Sequence, residues 1–151
     1  MLPIHSQYNT AETIVFPDAI TLKILLSGKH TNGNLAVFED IVEPGIGPGR
    51  HIHHHQDETF FFQDGNFIAE VDGQMHEFKP GDIAFIPRGT VHAFKNIGDK
   101  PGKLRYIFSP AHTIEDMFRD FYQAFKAGEL TKENMAEISI KHGQEFVGPP
   151  L

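Results

Sequence analysis

Short runs of alternating apolar and polar residues, each ended by a turn signal, fill the chain from residue 13 to residue 109. Alternation with a period of two is typical of strands that bury one face. The turn signals include Asn32-Gly33 and Asp72-Gly73, dipeptides that favour tight hairpins. Many short strands with regular turns predict an all-β sandwich or barrel. The predicted strands are Thr13–Phe16, Ile20–Leu26, Asn34–Val42, Asn66–Asp72, Gln74–Phe78, Ile83–Ile86, His92–Ile97 and Leu104–Phe108.

The hydrophobic period changes after Pro110 to that of an amphipathic helix. Thr113 followed by Asp116 predicts a capping box at the start of this helix, and Gly128 predicts its end. The apolar residues that recur at helical spacing are Ile114, Met117, Phe118, Phe121, Tyr122 and Phe125.

A second helix is predicted to begin at Thr131 and to end near Gly143, with Leu130 and Met135 spaced for a hydrophobic staple. We expect the two helices to form an appendage whose aromatic face packs on the β-structure or on a partner subunit. An aromatic stripe at this spacing belongs to a core more often than to a cofactor site. The mixed, polar residues 1–12 predict an arm or an added edge strand.

The overall composition predicts one ordinary soluble domain of 151 residues. A net charge of −7 gives no basic face, so we expect no nucleic-acid partner. No apolar run is long enough for a membrane helix, and the N-terminus does not resemble a signal peptide. The lack of cysteine fits a reducing compartment, so we expect a cytoplasmic protein.

The stretch 45–65 carries the candidate chemistry, because it holds four histidines and a nearby carboxylate. His51 and His53 are two residues apart, so on a strand their side chains point to the same side. With Glu58 arriving from the next strand, they can converge on one metal ion. His53 and His55 have the same spacing, so a second ligand register is possible. In the first register, His54 and His55 are solvent-exposed or support the ligands from outside.

Two spaced patterns resemble the two signature motifs of the cupin superfamily. The first, at residues 45–65, has Gly45, then His51-x-His53 after five residues, Glu58 after four more and Gly65 after six more. The second, at 81–96, fixes the positions Gly81, Pro87, Gly89, His92 and Asn96. Only the register with His51 and His53 satisfies the spacing to both Gly45 and Glu58.

The resemblance implies a double-stranded β-helix, the jelly-roll barrel of cupins, formed by residues 1–112, with residues 113–151 as a helical appendage of the same domain. It also implies that His51, His53, Glu58 and His92 bind one divalent transition metal ion. Three imidazoles and a carboxylate suit Fe, Mn, Ni, Co, Cu or Zn. Four protein ligands leave an open coordination position, as in a catalytic site.

Strand parity predicts the residues that line the substrate pocket. Phe60 and Phe62 share the inward parity of Glu58, and Phe94 shares that of His92. Four further residues are candidates whose facing the sequence leaves open, namely Phe38, Phe85, Tyr106 and Phe108. His76 is predicted to be a core or pocket-wall histidine. A phenylalanine-lined pocket favours an aromatic or otherwise apolar small molecule as the substrate.

The chain most resembles quercetinase-like cupins, through its motifs, Val71-Asp-Gly-Gln74, Pro80-Gly-Asp82 and the helical tail. That resemblance implies a metal-dependent dioxygenase in which Glu58 is the base that deprotonates a flavonol or enediol-type substrate. The alternatives are a metal-dependent isomerase, decarboxylase or lyase, and a non-catalytic binding module. Cupins commonly pair through sheet edges and N-terminal arms, so we also expect a homodimer, with residues 1–17 able to supply the arm.

Overall fold

The structure is a computed structural model that describes all residues from Met1 to Leu151. Eleven strands form two antiparallel sheets, and two helices follow the tenth strand. The predicted all-β jelly roll with two C-terminal helices is confirmed. The strands are β1 (Glu12–Phe16), β2 (Ile20–Leu26), β3 (Ala36–Val42), β4 (His51–His53), β5 (Asp57–Asp64), β6 (Phe67–Val71), β7 (Gln74–Phe78), β8 (Ile83–Ile86), β9 (His92–Asn96), β10 (Gly102–Ser109) and β11 (Gln144–Phe146).

The larger sheet has six strands in the order β1-β2-β3-β10-β5-β8. Strand β10 lies at its centre and pairs with β3 on one side and β5 on the other. On β10, Leu104, Tyr106 and Phe108 alternate with less buried residues, so this strand presents an apolar inner face. The register places Phe108 opposite Glu58 and Tyr106 opposite Phe60.

The smaller sheet has five strands in the order β11-β4-β9-β6-β7. Its edge strand β11 pairs with β4 in a register that sets Gln144 opposite His53 and Phe146 opposite His51. The sequence predicted only helices after residue 113, and a three-residue strand is too short to show a period. The C-terminal segment therefore contributes a strand to the sheet as well as two helices.

Aromatic side chains fill the space between the two sheets. Phe38 stacks on Tyr106 with 5.3 Å between ring centroids, and it meets Phe108 edge to face. Phe62 stacks on Phe78 at 4.4 Å. The contact between Phe62 of β5 and Phe78 of β7 joins the two sheets, and such ring pairs add attraction beyond their buried area.

Helix α1 (Ile114–Lys126) and helix α2 (Lys132–Lys141) lie where the change of period predicts them. The predicted capping box of α1 is wrong, because the Thr113 side chain makes no capping hydrogen bond. Its backbone is close to helical, and its hydroxyl group pairs with Nδ1 of His142 at 2.9 Å. Thr131 does cap α2, since its hydroxyl accepts from the backbone N–H of Asn134.

A buried carboxylate fastens α1 to the barrel. Glu115 accepts hydrogen bonds from the backbone N–H of Gly28 and the hydroxyl of Ser27. Arg119, one turn further along α1, pairs with the same carboxylate at 3.1 Å and with Glu12 of β1 at 2.8 Å. The appendage is thus attached at the turn that connects β2 with β3, and at β1.

Several motif residues have structural roles in the backbone, and the N-terminal segment lies outside the sheets. Gly65, Gly81 and Gly89 all have positive φ angles, which explains why glycine suits these turns. Asn96 is completely buried and bonds three backbone groups of the adjoining turn and strand. The N-terminal residues 1–11 form an exposed arm, held by a 2.6 Å hydrogen bond from the Tyr8 hydroxyl to Glu39. Neither helix is long and apolar enough to cross a membrane.

Candidate metal centre

Two paired strands of the smaller sheet and one strand of the larger sheet bring the four predicted ligands together. His51 and His53 lie on β4, Glu58 on β5 and His92 on β9, and all four side chains are buried. One ligand atom from each residue lies within 4.8 Å of the others. The two-residue spacing on β4 turns both imidazoles to the interior, where Glu58 arrives from the opposite sheet.

Backbone carbonyl groups orient two of the imidazoles. Nδ1 of His51 donates to the carbonyl oxygen of Gly49 at 2.7 Å, and Nδ1 of His92 donates to that of Thr90 at 3.0 Å. Each bond fixes the tautomer of its ring and leaves Nε2 to bind a metal. Nε2 of His92 lies 2.9 Å from Oε2 of Glu58.

His53 supplies the test of whether these residues fit a metal ion. Both of its ring nitrogens are buried and lack a hydrogen-bond partner, although Nε2 lies 3.4 Å from Oε2 of Glu58. Buried polar groups without partners are rare in native proteins, because leaving one unpaired costs free energy. A cation between His53 and Glu58 would give Nε2 of His53 a partner, and the donor set suits a transition metal. The residues therefore fit the predicted ion.

The charges within the cluster are strongly coupled. Burial raises the pKa of Glu58, but the neighbouring imidazoles of His53 and His92 outweigh burial and lower this pKa to about 2. Burial, followed by repulsion from His92 and His53, holds the pKa of His51 well below its usual value. Glu58 is therefore ionised and His51 neutral near neutral pH, which are the forms that bind a metal.

The other two histidines of the same stretch lie outside the cluster. His54 and His55 are exposed. His54 pairs with Glu145 of β11 at 2.8 Å, and the ring of His55 packs against Gly143. The structure thus brings together the register with His51 and His53, and it leaves His55 outside.

A cavity of about 480 Å³ opens beside the cluster, within the size range of small-molecule sites. Sixteen of its 26 lining residues are hydrophobic. His51, His53 and Glu58 form its polar end. The C-terminal segment supplies a large part of the wall, namely Met117, Phe118, Phe121, Phe125, Leu130, Met135, Gln144, Phe146 and Pro150.

Among the predicted and candidate pocket residues, Phe60, Phe94 and Tyr106 lie on the cavity wall. Phe38 and Phe62 point inward but do not line the cavity. Phe38 lies behind Tyr106 and Phe108, and Phe62 packs against Phe67 and Phe78. Parity predicts which face a side chain joins, but it does not predict depth within that face.

His76 is exposed and lies away from the cavity, so its prediction as a core or pocket-wall residue is wrong. Its strand β7 is the outer strand of the smaller sheet and is almost entirely exposed. His76 lies opposite Ala69 of β6, and the larger sheet does not cover this position. The alternation of β7 alone cannot indicate that the strand lies at an edge.

Sequence reasoning missed two polar residues of the cavity wall, Asp40 on β3 and Gln144 on β11. Asp40 shares the facing of the buried Phe38 and Val42, but the sequence left that facing open. Phe108, whose facing the sequence left open, lines the cavity, whereas Phe85 is exposed on the outer face of β8. Gln144 and Phe146 gave no signal, because β11 was not predicted.

Comparison with known proteins agrees with the motifs. Residues 38–108 match the family model described as "Cupin domain". An uncharacterized protein of Methanocaldococcus jannaschii is 27% identical over 114 residues, which are 75% of this chain and 91% of that protein. Quercetin 2,3-dioxygenase of Bacillus subtilis is 30% identical over 73 residues, 48% of this chain but only 22% of the enzyme.

Solved structures agree with the same fold. A predicted oxalate decarboxylase of Thermotoga maritima superposes with a TM-score of 0.66 and 17% identity, over 71% of this chain and 99% of that one. At this identity the likeness concerns the fold alone. Together with the family model that matches residues 38–108 and the two sheets described above, it shows that this chain has the cupin jelly-roll fold.

Proposed function

We propose that the protein is a metal-dependent dioxygenase that acts on an aromatic or enediol-type small molecule. The observation that carries this proposal is the buried cluster of three histidines and one glutamate at the end of an aromatic cavity. A site of this kind combines a metal with a water-poor apolar wall, as oxygen chemistry on a flat substrate requires.

The side chains of the cluster have distinct roles in this proposal. A bound divalent transition metal would supply Lewis acidity and, if redox-active, electron transfer to dioxygen. Glu58 is ionised, so one of its carboxylate oxygens can accept the proton of a substrate hydroxyl group. Phe60 and Phe94 cover the cavity beside the cluster and exclude water from the reacting atoms.

The charges of the cavity favour a neutral substrate over an anionic one. The ionised carboxylate of Glu58 disfavours an added negative charge, and no arginine or lysine lines the cavity. Four cationic side chains of the barrel are engaged in ion pairs or hydrogen bonds elsewhere. Arg50 pairs with Glu70, Arg88 with Asp57, and Arg105 with Glu39, while Lys95 bonds the carbonyl oxygen of Leu151.

A relative with a related activity supports the choice of a dioxygenase. The similar segment of Bacillus subtilis quercetin 2,3-dioxygenase is 30% identical to this chain. The match spans 22% of that enzyme, so its substrate is here a proposal for this protein and nothing more.

The second candidate is a metal-dependent isomerase, decarboxylase or lyase acting on a small oxygenated substrate. Asp40 favours this candidate, because burial raises its pKa to about 8 and so provides a second acid–base group on the cavity wall. In such a reaction Glu58 and Asp40 could transfer protons without net oxidation of the substrate.

Oxygen uptake distinguishes these candidates. The protein would be loaded separately with Fe, Mn, Co, Ni, Cu or Zn and mixed with quercetin in an oxygen-electrode cell. We expect uptake with at least one redox-active metal, and a loss of about 100-fold or more in Glu58→Ala, with His55→Ala as the matched control. Product formation without uptake would favour the second candidate. Binding without turnover of quercetin, or of other enediols, would leave a binding module.

A further inference from the structure

A second polar site lies within the apolar cavity, on the larger sheet. Asp40 of β3 faces the cavity, with only 5% of its surface exposed. Its pairing partners on both neighbouring strands are apolar and buried, Leu22 on β2 and Leu104 on β10. A carboxyl group in such surroundings costs stability, whereas an apolar residue would continue the wall. Its presence there therefore points to a role in binding.

The Asp40 carboxyl has one hydrogen-bond partner in the protein. The Tyr106 hydroxyl donates to Oδ1 at 3.0 Å, while Oδ2 has no partner. The ring of Tyr106 is itself fixed by stacking on Phe38 at 5.3 Å. The carboxyl is therefore held in one orientation, with one oxygen bound and the other free to bind a ligand in the cavity.

Asp40 lies at some distance from the metal ligands. On β10, Phe108 marks the level of Glu58 and Leu104 marks the level of Asp40. Those levels are four residues apart, about 13 Å along a strand at the usual rise per residue. Tyr106, Phe60 and Phe108 lie along the cavity wall that runs with this strand. A ligand that reaches from one strand level to the other passes along these aromatic side chains, so an elongated molecule with an apolar middle fits this wall.

We propose that Asp40, positioned by Tyr106, binds an uncharged oxygen at the far end of an elongated aromatic substrate whose other end lies at the metal cluster. This inference rests on the proposed function, because it specifies the substrate class of the same cavity. The substrate class is a molecule of two or more linked rings that bears a metal-binding pair of oxygens and a separate hydroxyl or carbonyl group. Asp40 in its protonated form donates a hydrogen bond through Oδ2.

A pair of flavonols tests this inference without any turnover. Quercetin carries hydroxyl groups on its outer rings, whereas 3-hydroxyflavone carries only the metal-binding oxygens. Their affinities for zinc-loaded protein would be measured by calorimetry under nitrogen. We expect the wild type to bind quercetin about tenfold more tightly than 3-hydroxyflavone, as one well-formed hydrogen bond allows.

The variants assign that difference to Asp40. We expect Asp40→Leu to bind both flavonols with nearly equal affinity, without weakening 3-hydroxyflavone by more than about threefold. Asp40→Asn should keep most of the preference, because its amide can still donate. Tyr106→Phe, which retains the stacked ring, should reduce the preference and provides a second variant if Asp40→Leu does not fold. Leu104→Met, outside the cavity lining, is the control and should keep the wild-type ratio.

Each outcome decides the inference. Equal affinities in the wild type, an unchanged ratio in Asp40→Leu or Tyr106→Phe, or no binding of either flavonol would overturn it. An Asp40-dependent ratio supports it even if no oxygen is consumed, in which case only the proposed dioxygenase activity fails. Oxygen uptake with equal affinities would leave the activity and remove the role of Asp40.

Discussion

The two walls of the cavity differ in origin and in chemistry. The barrel wall carries Asp40 and three of the four clustered residues, His51, His53 and Glu58, and the part of it within residues 38–108 matches a known family model. The wall formed by the C-terminal segment lies outside that model and supplies nine of the 26 lining residues, nearly all of them apolar. In the proposed function, the barrel thus provides the reacting groups, while the appendage shapes the space that a substrate would occupy.

This difference separates two properties that variants can change independently. Substitutions in the barrel cluster should abolish metal binding, whereas substitutions in the appendage should alter ligand affinity and leave the metal bound. A fold does not determine a function. In the proposed function, the side chains of the appendage can therefore select a substrate that differs from those of proteins with a similar barrel.

The largest expected effect concerns metal affinity. His53→Ala removes a buried ligand, so we expect the affinity for Co²⁺ or Ni²⁺ to fall by about 100-fold or more. His55→Ala, two residues away and exposed, should bind like the wild type. Thermal unfolding with and without metal measures both, since a ligand of the folded state raises the melting temperature. Equal metal-induced shifts in the two variants would contradict the assignment.

A pH-dependent effect should distinguish Asp40 from the residues of the appendage. Burial raises the pKa of Asp40 to about 8, partly opposed by the Tyr106 hydroxyl and increased by the charges of Glu58 and Glu39. Because the folded pKa exceeds the unfolded value of about 4, the contribution of Asp40 to stability falls as pH rises from about 4 to about 8.

Asp40→Asn should remove that fall, which amounts to about 1.4 kcal/mol per pH unit within this window. Urea unfolding of both proteins, at several pH values between those limits, measures it. The stability advantage of Asp40→Asn should increase with pH, and a constant difference would show that Asp40 does not titrate there.

In the appendage, Phe121→Ala should weaken flavonol binding and leave the metal bound. Phe121 is buried on α1 and lines the cavity. Its truncation should also lower the free energy of unfolding by about 3 kcal/mol. Ile140→Ala, exposed on α2, is the control and should change stability by less than about 0.5 kcal/mol. Loss of metal in folded Phe121→Ala would break the separation of the two walls.

Glu115→Ala should loosen the attachment of the appendage. It leaves the Gly28 N–H without its partner and removes one of the three carboxylates that pair with Arg119, so we expect a loss of about 2 kcal/mol in unfolding free energy. Asp116→Ala breaks an exposed pair with the same arginine and should cost less than about 1 kcal/mol. Chemical denaturation compares them, and equal losses would remove the special role of Glu115.

The smallest expected effect concerns the predicted homodimer, which remains a prediction. Strand β8 is a sheet edge with Ile83 and Phe85 exposed, so it offers apolar surface to a second copy. Sedimentation at micromolar concentration should give twice 17.0 kDa, and Phe85→Lys should shift it towards the monomer. A wild-type monomer would contradict the prediction.

The barrel was more predictable from the sequence than the appendage, for physical reasons. The two-residue spacing of His51 and His53 fixes their common facing, and the spacing to Gly45 and Glu58 distinguishes their register from that of His55. The face of α1 was visible because six apolar residues repeat at helical spacing.

Other features depend on pairings that no local pattern contains. The exposure of His76 follows from the edge position of β7, and the strand β11 forms only because β4 offers a free edge. Phe38 and Phe62 have the predicted facing but lie behind other rings, which depends on how the sheets pack. Asp40 shares the facing of Phe38 and Val42, but the alternation of β3 alone does not tell which face is buried, because Glu39 on the other face is buried as well.

The metal content of the purified, tag-free protein is the measurement on which the barrel wall depends. After loading and desalting, plasma mass spectrometry would compare the wild type with a Glu58→Ala/His92→Ala double variant. We predict about one equivalent of a transition metal in the wild type and a loss of that metal in the folded double variant. No metal above the level of the double variant, even after reconstitution, would contradict a metal centre at these four residues.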